Sequence, residues 1–506
     1  MTFYDLKQLL LEMRDIPHTV MGKLEADDLH ILDVSSDSRA VVKDGLFASF
    51  TEHQTNAVKF IAQAINIGVK VIILSEAVYG VLPQEMLSSD VCFIVTSLPR
   101  KLFAKVARAF YKEHPANCIA VTGTAGKTSV TNFVMQLWHH LGIPSLSVGT
   151  FGIVRPNQTL SYAPSLTTGE IDALHKALFD AKVREGIDHI ILEASSHGLD
   201  QYRLDGLSFK VAAFTNFSQD HLDYHPTMEE YFAAKVRLFT DLLSEDGIAV
   251  LNADIQEVEK LKKICLESNK RVVSYGLKGD LVSLQSVAPQ DGCQLLTLSI
   301  AGKDYSVAFP LVGNTQVQNV LCAIAILVVM GIDPKKILQG VEVLKAVPGR
   351  LERVAEYQGG GIYVDYAHKP GALAEVLKDL KKFCDNKLHL VFGCGGERDK
   401  DKRKKMGEIA QRMADFVYVT DDNPRSEPPA TIRLDVLGGC AKATEIADRR
   451  KAIETAIDQM ALGDVLIIAG KGHETYQLYN GLKIDFDDKK VVLNYLDELE
   501  KSHALL

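Results

Sequence analysis

Gly123-Thr124-Ala125-Gly126-Lys127-Thr128 stands between an apolar run, NCIAVTG, and a segment of helical pattern, TSVTNFVMQLWHHLG. Glycines let a backbone curl so that its N–H groups and the following helix N-terminus face an anion, while a lysine neutralises terminal phosphates and a hydroxyl ligates magnesium. The chemistry these types can do is triphosphate binding, with ATP the expected ligand of residues 123–128 and the adjoining Ser129. The strict phosphate-loop pattern needs glycine at 121, where this chain has Val121. A glycine turn with an incidental Lys-Thr is the plainer alternative for these six positions taken alone.

Two further polar clusters end apolar runs: Glu193-Ala194-Ser195-Ser196-His197-Gly198, and Thr215-Asn216-Phe217-Ser218-Gln219-Asp220-His221-Leu222-Asp223-Tyr224-His225. Carboxylate and imidazole groups at neighbouring strand ends can converge on an ion beside Thr128, with Glu193 and His221 the better candidates. His197 and His225 taken alone read as structural hydrogen-bonders rather than ligands, and Asp223 reads equally as a helix cap. Four more clusters follow: Asp365-Tyr366-Ala367-His368, Gly393-Cys394-Gly395-Gly396-Glu397-Arg398-Asp399, Asp422-Asn423-Pro424-Arg425 and Gly470-Lys471-Gly472-His473-Glu474. They offer guanidinium for carboxylate and carboxylate for ammonium, the recognition chemistry of a zwitterion. Asn423-Pro424 in isolation is also an ordinary turn.

The elements that must position these groups are strands alternating with helices. IDHIILEAS, FKVAAFTNF and GIAVLNAD read as strands after the phosphate loop, and GIYVDYA, KLHLVFGCG, DFVYVTDD and DVLIIAGKG as strands of a later unit. Such alternation predicts parallel sheets covered on both faces, with ligands at the carboxyl ends of the strands. A helical start, a strand-like Leu29–Val34 and FIAQAINIG before VKVIIL predict a small α/β unit first. The fold expected is therefore α/β in three domains: residues 1–104, a central ATPase-type parallel sheet over 105–345, and a Rossmann-like unit over 346–506.

With 47% hydrophobic and 24% charged residues the 506-residue chain has the composition of a folded protein. A formal charge of -9 argues against nucleic acid as a partner. The eight cysteines contain no C-x-x-C pair, and MTFYDLKQLLLEMRD lacks the apolar core of a signal peptide, so a reducing, cytoplasmic location is expected. The longest apolar run, Val320 to Met330, is too short to cross a bilayer and predicts a buried helix, so no membrane partner is expected.

The short G-T-x-G-K-T loop together with EASSHGLDQYRLDGLSFKVAAFTNFSQDHLDYHPTMEEYFAAKVRLF resembles the Mur ligases, and within them the diaminopimelate- or lysine-adding branch. The resemblance covers essentially the whole chain. It implies that Thr128, Glu193 and His221 bind magnesium and that Lys235 carries a CO2-derived carbamate holding a second magnesium; without the family, Lys235 reads as a solvated helix lysine. It implies catalytic roles for Lys127, Glu193, His221 and Lys235, and nucleotide contacts for Asn319, Arg350, Asp365 and His368 facing ATP across an interdomain cleft. Ser38, Thr167, Thr168, Ser195, Gln201 and Arg203 would meet a UDP-muramoyl-dipeptide, and Arg398, Asp422, Asn423, Arg425, Gly470 and Glu474 the incoming amino acid.

The reaction implied is phosphorylation of the D-glutamyl γ-carboxylate by ATP, then attack of an amine on the acyl phosphate, by a monomer. Arg425 favours meso-diaminopimelate over lysine, since the second carboxylate would otherwise be missing from beside that cation. A lysine-adding ligase and an inactive nucleotide-binding scaffold are the alternatives. Departures from the family pattern are Glu52-His53-Gln54-Thr55-Asn56-Ala57 in place of a G-x-x-x-D-G loop, Gly169 where proline is usual, and Gly313-Asn314-Thr315-Gln316 before Asn319.

Overall fold

The computed structural model describes residues 4–22, 30–51, 53–155, 167–290 and 293–504; the expected strand start at Leu29 and the first residue of the departing loop, Glu52, lie outside them. Contacts divide the chain into two compact units, one of Met1–Lys127, Trp138–Thr159 and Ala163–Ser274, the other of Thr128–Leu137, Leu160–Tyr162 and Tyr275–Leu506.

The first unit carries two sheets. The N-terminal one orders its strands Thr19–Met21, Cys92–Val95, Val71–Leu74, Leu46–Ala48 and Val34–Ser35, antiparallel only at the first pair. Its strands Val71–Leu74 and Cys92–Val95 are buried throughout, because helices cover both faces, and they read accordingly as unbroken apolar runs. The helix Pro99–Phe110 packs its apolar stripe on this sheet, with Leu102, Phe103, Val106 and Ala107 wholly buried. Ser35 and Ser36 bind the carboxylate of Asp172, at the start of the helix Ile171–Val183, through two hydroxyls and the Ser36 N–H at 2.9–3.1 Å.

The second sheet of this unit runs Gly152–Val154, Ser145–Gly149, His189–Glu193, Asn117–Thr122, Phe209–Phe214 and Leu243–Asn252. All pairs but the first are parallel, so the strand that feeds the phosphate loop lies inside the sheet. Register aligns Glu193 with Val121 and Phe214 with Thr122, which brings the ends of three strands to one edge.

The second unit holds an antiparallel meander, Val282–Gln290, Cys293–Ile300 and Lys303–Phe309, that the strand–helix alternation did not foretell. It also holds the buried helix Asn314–Val329, longer than its apolar run. The C-terminal sheet orders Glu352–Tyr357, Gly360–Asp365, Val465–Ala469, Leu388–Phe392, Phe416–Val419 and Thr444–Glu445, parallel except for the first hairpin. Asp365, Ala469, Phe392 and Val419 lie in register, so all four polar clusters of this unit start from one sheet edge. The α/β expectation holds, with antiparallel additions to sheets expected to be parallel. No helix among the described residues is long and apolar enough to cross a membrane, and all eight cysteines are free thiols.

Candidate functional site

In the first unit the phosphate loop is tied down by the neighbouring strand end. Asn216 accepts from Thr124 N at 2.9 Å through its carbonyl and from Ala125 N at 2.8 Å through Oδ1. Thr215 Oγ1 donates to the Ala125 carbonyl at 2.6 Å, and Thr124 Oγ1 lies 3.1 Å from the Tyr231 hydroxyl. Gly123 takes φ 143°, and a Cβ there would stand 2.0 Å from Thr215 Oγ1, so the tight approach of the two strand ends demands glycine. Lys127 Nζ curls back onto the Gly123 and Thr124 carbonyls, both at 2.9 Å. Thr128, the second residue of the helix Lys127–His140, is buried.

Glu193 is 2% exposed and accepts from Thr150 N at 2.8 Å and Thr150 Oγ1 at 3.2 Å. Gly149 makes room for it, since a Cβ there would meet Glu193 Oε1 at 2.1 Å. Lys235 is 1% exposed, with Nζ 2.8 Å from the Gly123 carbonyl and 4.5 Å from the Tyr231 ring centre. It is not a solvated helix lysine. His221 adopts φ 53°, pairs with Asp220 at 3.4 Å, and stands in an aromatic cluster with His197, at 4.8 Å between ring centres, and Tyr231, at 5.9 Å. His225 is buried against Tyr231 in the same cluster, whereas Asp223 is exposed. Burial lowers the pKa of both His197 and His225.

The Thr128 hydroxyl and the Glu193 carboxylate are each of the hard-oxygen type that magnesium takes, while the His221 imidazole would be a nitrogen donor. No group of three or more His, Cys, Asp and Glu able to hold a metal ion is found among the described residues.

Beside Glu193 lies a hydroxyl network. Thr168 Oγ1 donates to the Glu193 carbonyl at 2.9 Å and sits 2.9 Å from Ser195 Oγ. Arg203 donates to the Thr168 carbonyl at 2.9 Å and to Gln201 Oε1 at 2.5 Å. Thr168, Ser195, Gln201 and Arg203 are therefore one cluster, while Thr167 makes no hydrogen bond to the described residues and Ser38 binds Gln63 at 3.0 Å within the N-terminal sheet's layer.

In the second unit Gln316 joins two of the expected nucleotide neighbours, accepting from Asn319 at 3.5 Å and donating to the Arg350 carbonyl at 2.6 Å. The Arg350 guanidinium lies 4.5 Å over Tyr366. Asp365 accepts from Leu351 N at 2.6 Å and Ala367 N at 2.7 Å, yet its burial pushes its pKa up against the opposing pull of Arg350. His368 Nδ1 sits 2.8 Å from the Tyr366 carbonyl, and Tyr366 stacks near His473, whose pKa burial lowers to about 3.

The D-N-P-R turn is held by a hairpin, Tyr476–Tyr479 with Leu482–Asp485. Arg425 N donates to the Leu478 carbonyl at 2.9 Å with φ 56°, and Arg425 Nη1 donates to the Gly396 carbonyl at 2.6 Å. Asn423 Nδ2 donates to Glu474 Oε2 at 2.8 Å, and the Asp422 carboxylate lies close to Gly470. Lys471, which the chemistry of the motif did not single out, is fully buried among these groups. The exposed Arg398 makes no hydrogen bond or ion pair with the described residues.

Two family descriptions match the chain, "Mur ligase middle domain" over residues 121–327 and "Mur ligase, glutamate ligase domain" over residues 349–472. A UDP-N-acetylmuramoyl-L-alanyl-D-glutamate–2,6-diaminopimelate ligase of Bradyrhizobium diazoefficiens is 43% identical over 468 residues, 92% of this chain and 94% of the relative. One of that name from Agrobacterium fabrum is 39% identical over 501 residues, 99% and 98% of the two chains. Among solved structures, another ligase of that name superposes with a TM-score of 0.70 at 30% identity, covering 99% of this chain and 100% of that one. Mycobacterium tuberculosis folylpolyglutamate synthase complexed with ADP shares the fold, with a TM-score of 0.59 at 21% identity over 74% of this chain and 92% of that one.

Proposed function

The chain belongs to the Mur ligase family, and from that premise we propose that it joins 2,6-diaminopimelate to UDP-N-acetylmuramoyl-L-alanyl-D-glutamate at the expense of ATP, in the synthesis of a peptidoglycan precursor. The observation that carries the reading is 43% identity over 92% of the chain to a ligase of that name.

In this reaction an oxygen of the D-glutamyl γ-carboxylate attacks the γ-phosphorus of ATP. The bond to the bridging oxygen breaks, and ADP leaves with the electron pair. The amine of the amino acid then attacks the acyl carbon; the carbon–oxygen bond breaks, inorganic phosphate leaves and the amine gives up a proton, leaving an amide. Residues 123–129 hold the triphosphate, and Lys127, whose Nζ now rests on two loop carbonyls at 2.9 Å, exchanges them for phosphate oxygens. Thr128, Glu193 and His221 would each offer magnesium a ligand, and Lys235, carrying a carbamate, would hold a second ion; such ions would supply the positive charge that offsets repulsion between carboxylate and triphosphate. The carbamate reading draws support from a lysine that is 1% exposed yet sits on the phosphate loop, a position with no use for a solvating side chain.

Thr168, Ser195, Gln201 and Arg203 orient the muramoyl-dipeptide as a preformed network. Arg425 and Glu474 take the far carboxylate and an ammonium of diaminopimelate. Eight free thiols support a cytoplasmic setting. Phosphate release by the purified protein, with ATP, magnesium, the UDP-dipeptide and either 2,6-diaminopimelate or L-lysine, tests the reading, each product being identified by mass. Turnover with diaminopimelate alone is expected; turnover with lysine alone would overturn the specificity, and none with either would overturn the reaction.

A further inference from the structure

We propose that Lys471 is a positioning and specificity-determining residue of the amino-acid pocket, a buried cation that fixes the amide of Asn423 and turns one oxygen of Glu474 toward the substrate's ammonium; the inference rests on the reading of that pocket given above. An ammonium with 0% exposure is costly to fold around unless every N–H finds an acceptor. Lys471 Nζ finds three: Asn423 Oδ1 at 3.3 Å, Glu474 Oε2 at 3.2 Å and the carbonyl of Tyr476. Two of these belong to side chains expected to meet the amino acid.

The consequence for Asn423 is an amide with one permitted orientation. Its Oδ1 accepts from both Lys471 and Leu478 N, the latter at 3.0 Å, and its Nδ2 donates to Glu474 Oε2 at 2.8 Å. The flipped amide would set an NH2 group against an ammonium and a backbone N–H, and a carbonyl oxygen against a carboxylate. The consequence for Glu474 is a division of labour between its oxygens. Oε2 receives both inward donors, while Oε1 accepts no hydrogen bond among the described residues, and the side chain keeps 16% exposure. A carboxylate tied at one oxygen and open at the other is a receptor for a cation arriving from solvent.

Charge works in the same direction. Burial raises the Glu474 pKa; Lys471 opposes that rise, and Asp422 adds to it. Arg449 and Tyr366 also lie within electrostatic reach of this carboxyl. Taking away the Lys471 charge therefore extends the pH range over which Glu474 is protonated and cannot hold an ammonium.

The test is Lys471→Met, which keeps length and removes charge, read by steady-state kinetics as a function of pH. The KM for diaminopimelate is expected to rise by about tenfold or more, that for ATP far less, and the acid limb of kcat/KM for the amino acid to move to higher pH. An active variant with the wild-type KM for diaminopimelate and the wild-type acid limb overturns the proposal. If K471M does not fold, K471M in an E474Q background removes both charges. Measured against E474Q alone, that variant is expected to show a further rise in the KM for diaminopimelate, because the Asn423 amide has lost the cation that fixes it, and the same KM in the two overturns the proposal. Wild-type enzyme inactive with every amino acid tried would instead sink the reading of the pocket, and this proposal with it.

Discussion

Lys235 Nζ and the carbonyl oxygen of Gly123 lie 2.8 Å apart, joining the buried end of the helix Met228–Arg237 to the first residue of the phosphate loop. A side chain that costs several kcal/mol to bury is kept where phosphates are expected, which stability alone does not explain. Lys235→Met is predicted to leave the unfolding midpoint unchanged or slightly higher, because an apolar chain of similar length replaces a buried charge. ADP release should nevertheless fall by about 100-fold or more. Urea denaturation and coupled ADP detection on the same preparation separate the two effects, and wild-type turnover in the variant would refute the role given to Lys235.

Gly123→Ala attacks the same place from the other side. The new Cβ would stand 2.0 Å from Thr215 Oγ1 and 3.1 Å from Asn216 N, at a φ of 143° that side chains rarely adopt. Overpacking and backbone strain together should cost about 2–5 kcal/mol and detach the loop from the strand end that orders it. A lowered urea midpoint with loss of ATP-dependent turnover is the expected result; an unchanged midpoint would mean that the loop relaxes around the methyl group.

How much of this was legible in the sequence follows from the range of the interactions. The strand, glycine loop and helix around Gly123–Thr128 are local, and they formed as read. The pairing of Lys235 with Tyr231 is four residues along one helix face and was also within reach of the pattern. That Lys235 is buried was not, because its partner Gly123 is 112 positions away and nothing in YFAAK marks that face as covered. The hairpin over Arg425 does leave a signal in the sequence: Asn480 and Gly481 both take positive φ, 47° and 79°, as an Asn-Gly hairpin turn requires. Ala301 and Gly302 do the same between Cys293–Ile300 and Lys303–Phe309, but the strand–helix rhythm elsewhere hid that meander. Lys471 carries no such signal, because a lysine between two glycines reads as solvated, and the Asn423 that closes over it comes from another strand end.

Arg425 is predicted to set the choice between diaminopimelate and lysine. Its backbone is pinned in the left-handed region by the hairpin, and its Nη1 rests on the Gly396 carbonyl at 2.6 Å, so the guanidinium is positioned before substrate arrives. Arg425→Ala should lower kcat/KM for diaminopimelate by about 100-fold and that for lysine much less, the loss of a charge-assisted bidentate contact. Arg425→Lys should recover little, since an ammonium cannot match both carboxylate oxygens in one plane. Competition between the two amino acids, with products separated by mass, measures the ratio directly; equal losses for both would refute the assignment.

Acid sensitivity of the C-terminal sheet should trace in part to Asp464. Its carboxylate accepts from Ala461 N at 2.8 Å, Lys387 N at 2.9 Å and His389 Nε2 at 2.9 Å, tying the strand Val465–Ala469 to its neighbour Leu388–Phe392. Burial favours the neutral acid, but the three donors outweigh it and hold the pKa below the ordinary 3.8. A carboxyl depressed on folding stabilises the protein fully above its unfolded pKa, and that stability disappears as pH falls through the folded value. Asp464→Asn turns one acceptor into a donor facing N–H groups and should cost about 1–3 kcal/mol at pH 7. Urea midpoints of wild type and variant should converge as the pH is lowered beneath the ordinary carboxylate range and the wild-type carboxylate is itself protonated. A gap that stays constant from pH 7 into that range would show that the carboxylate's charge contributes nothing to holding these two strands.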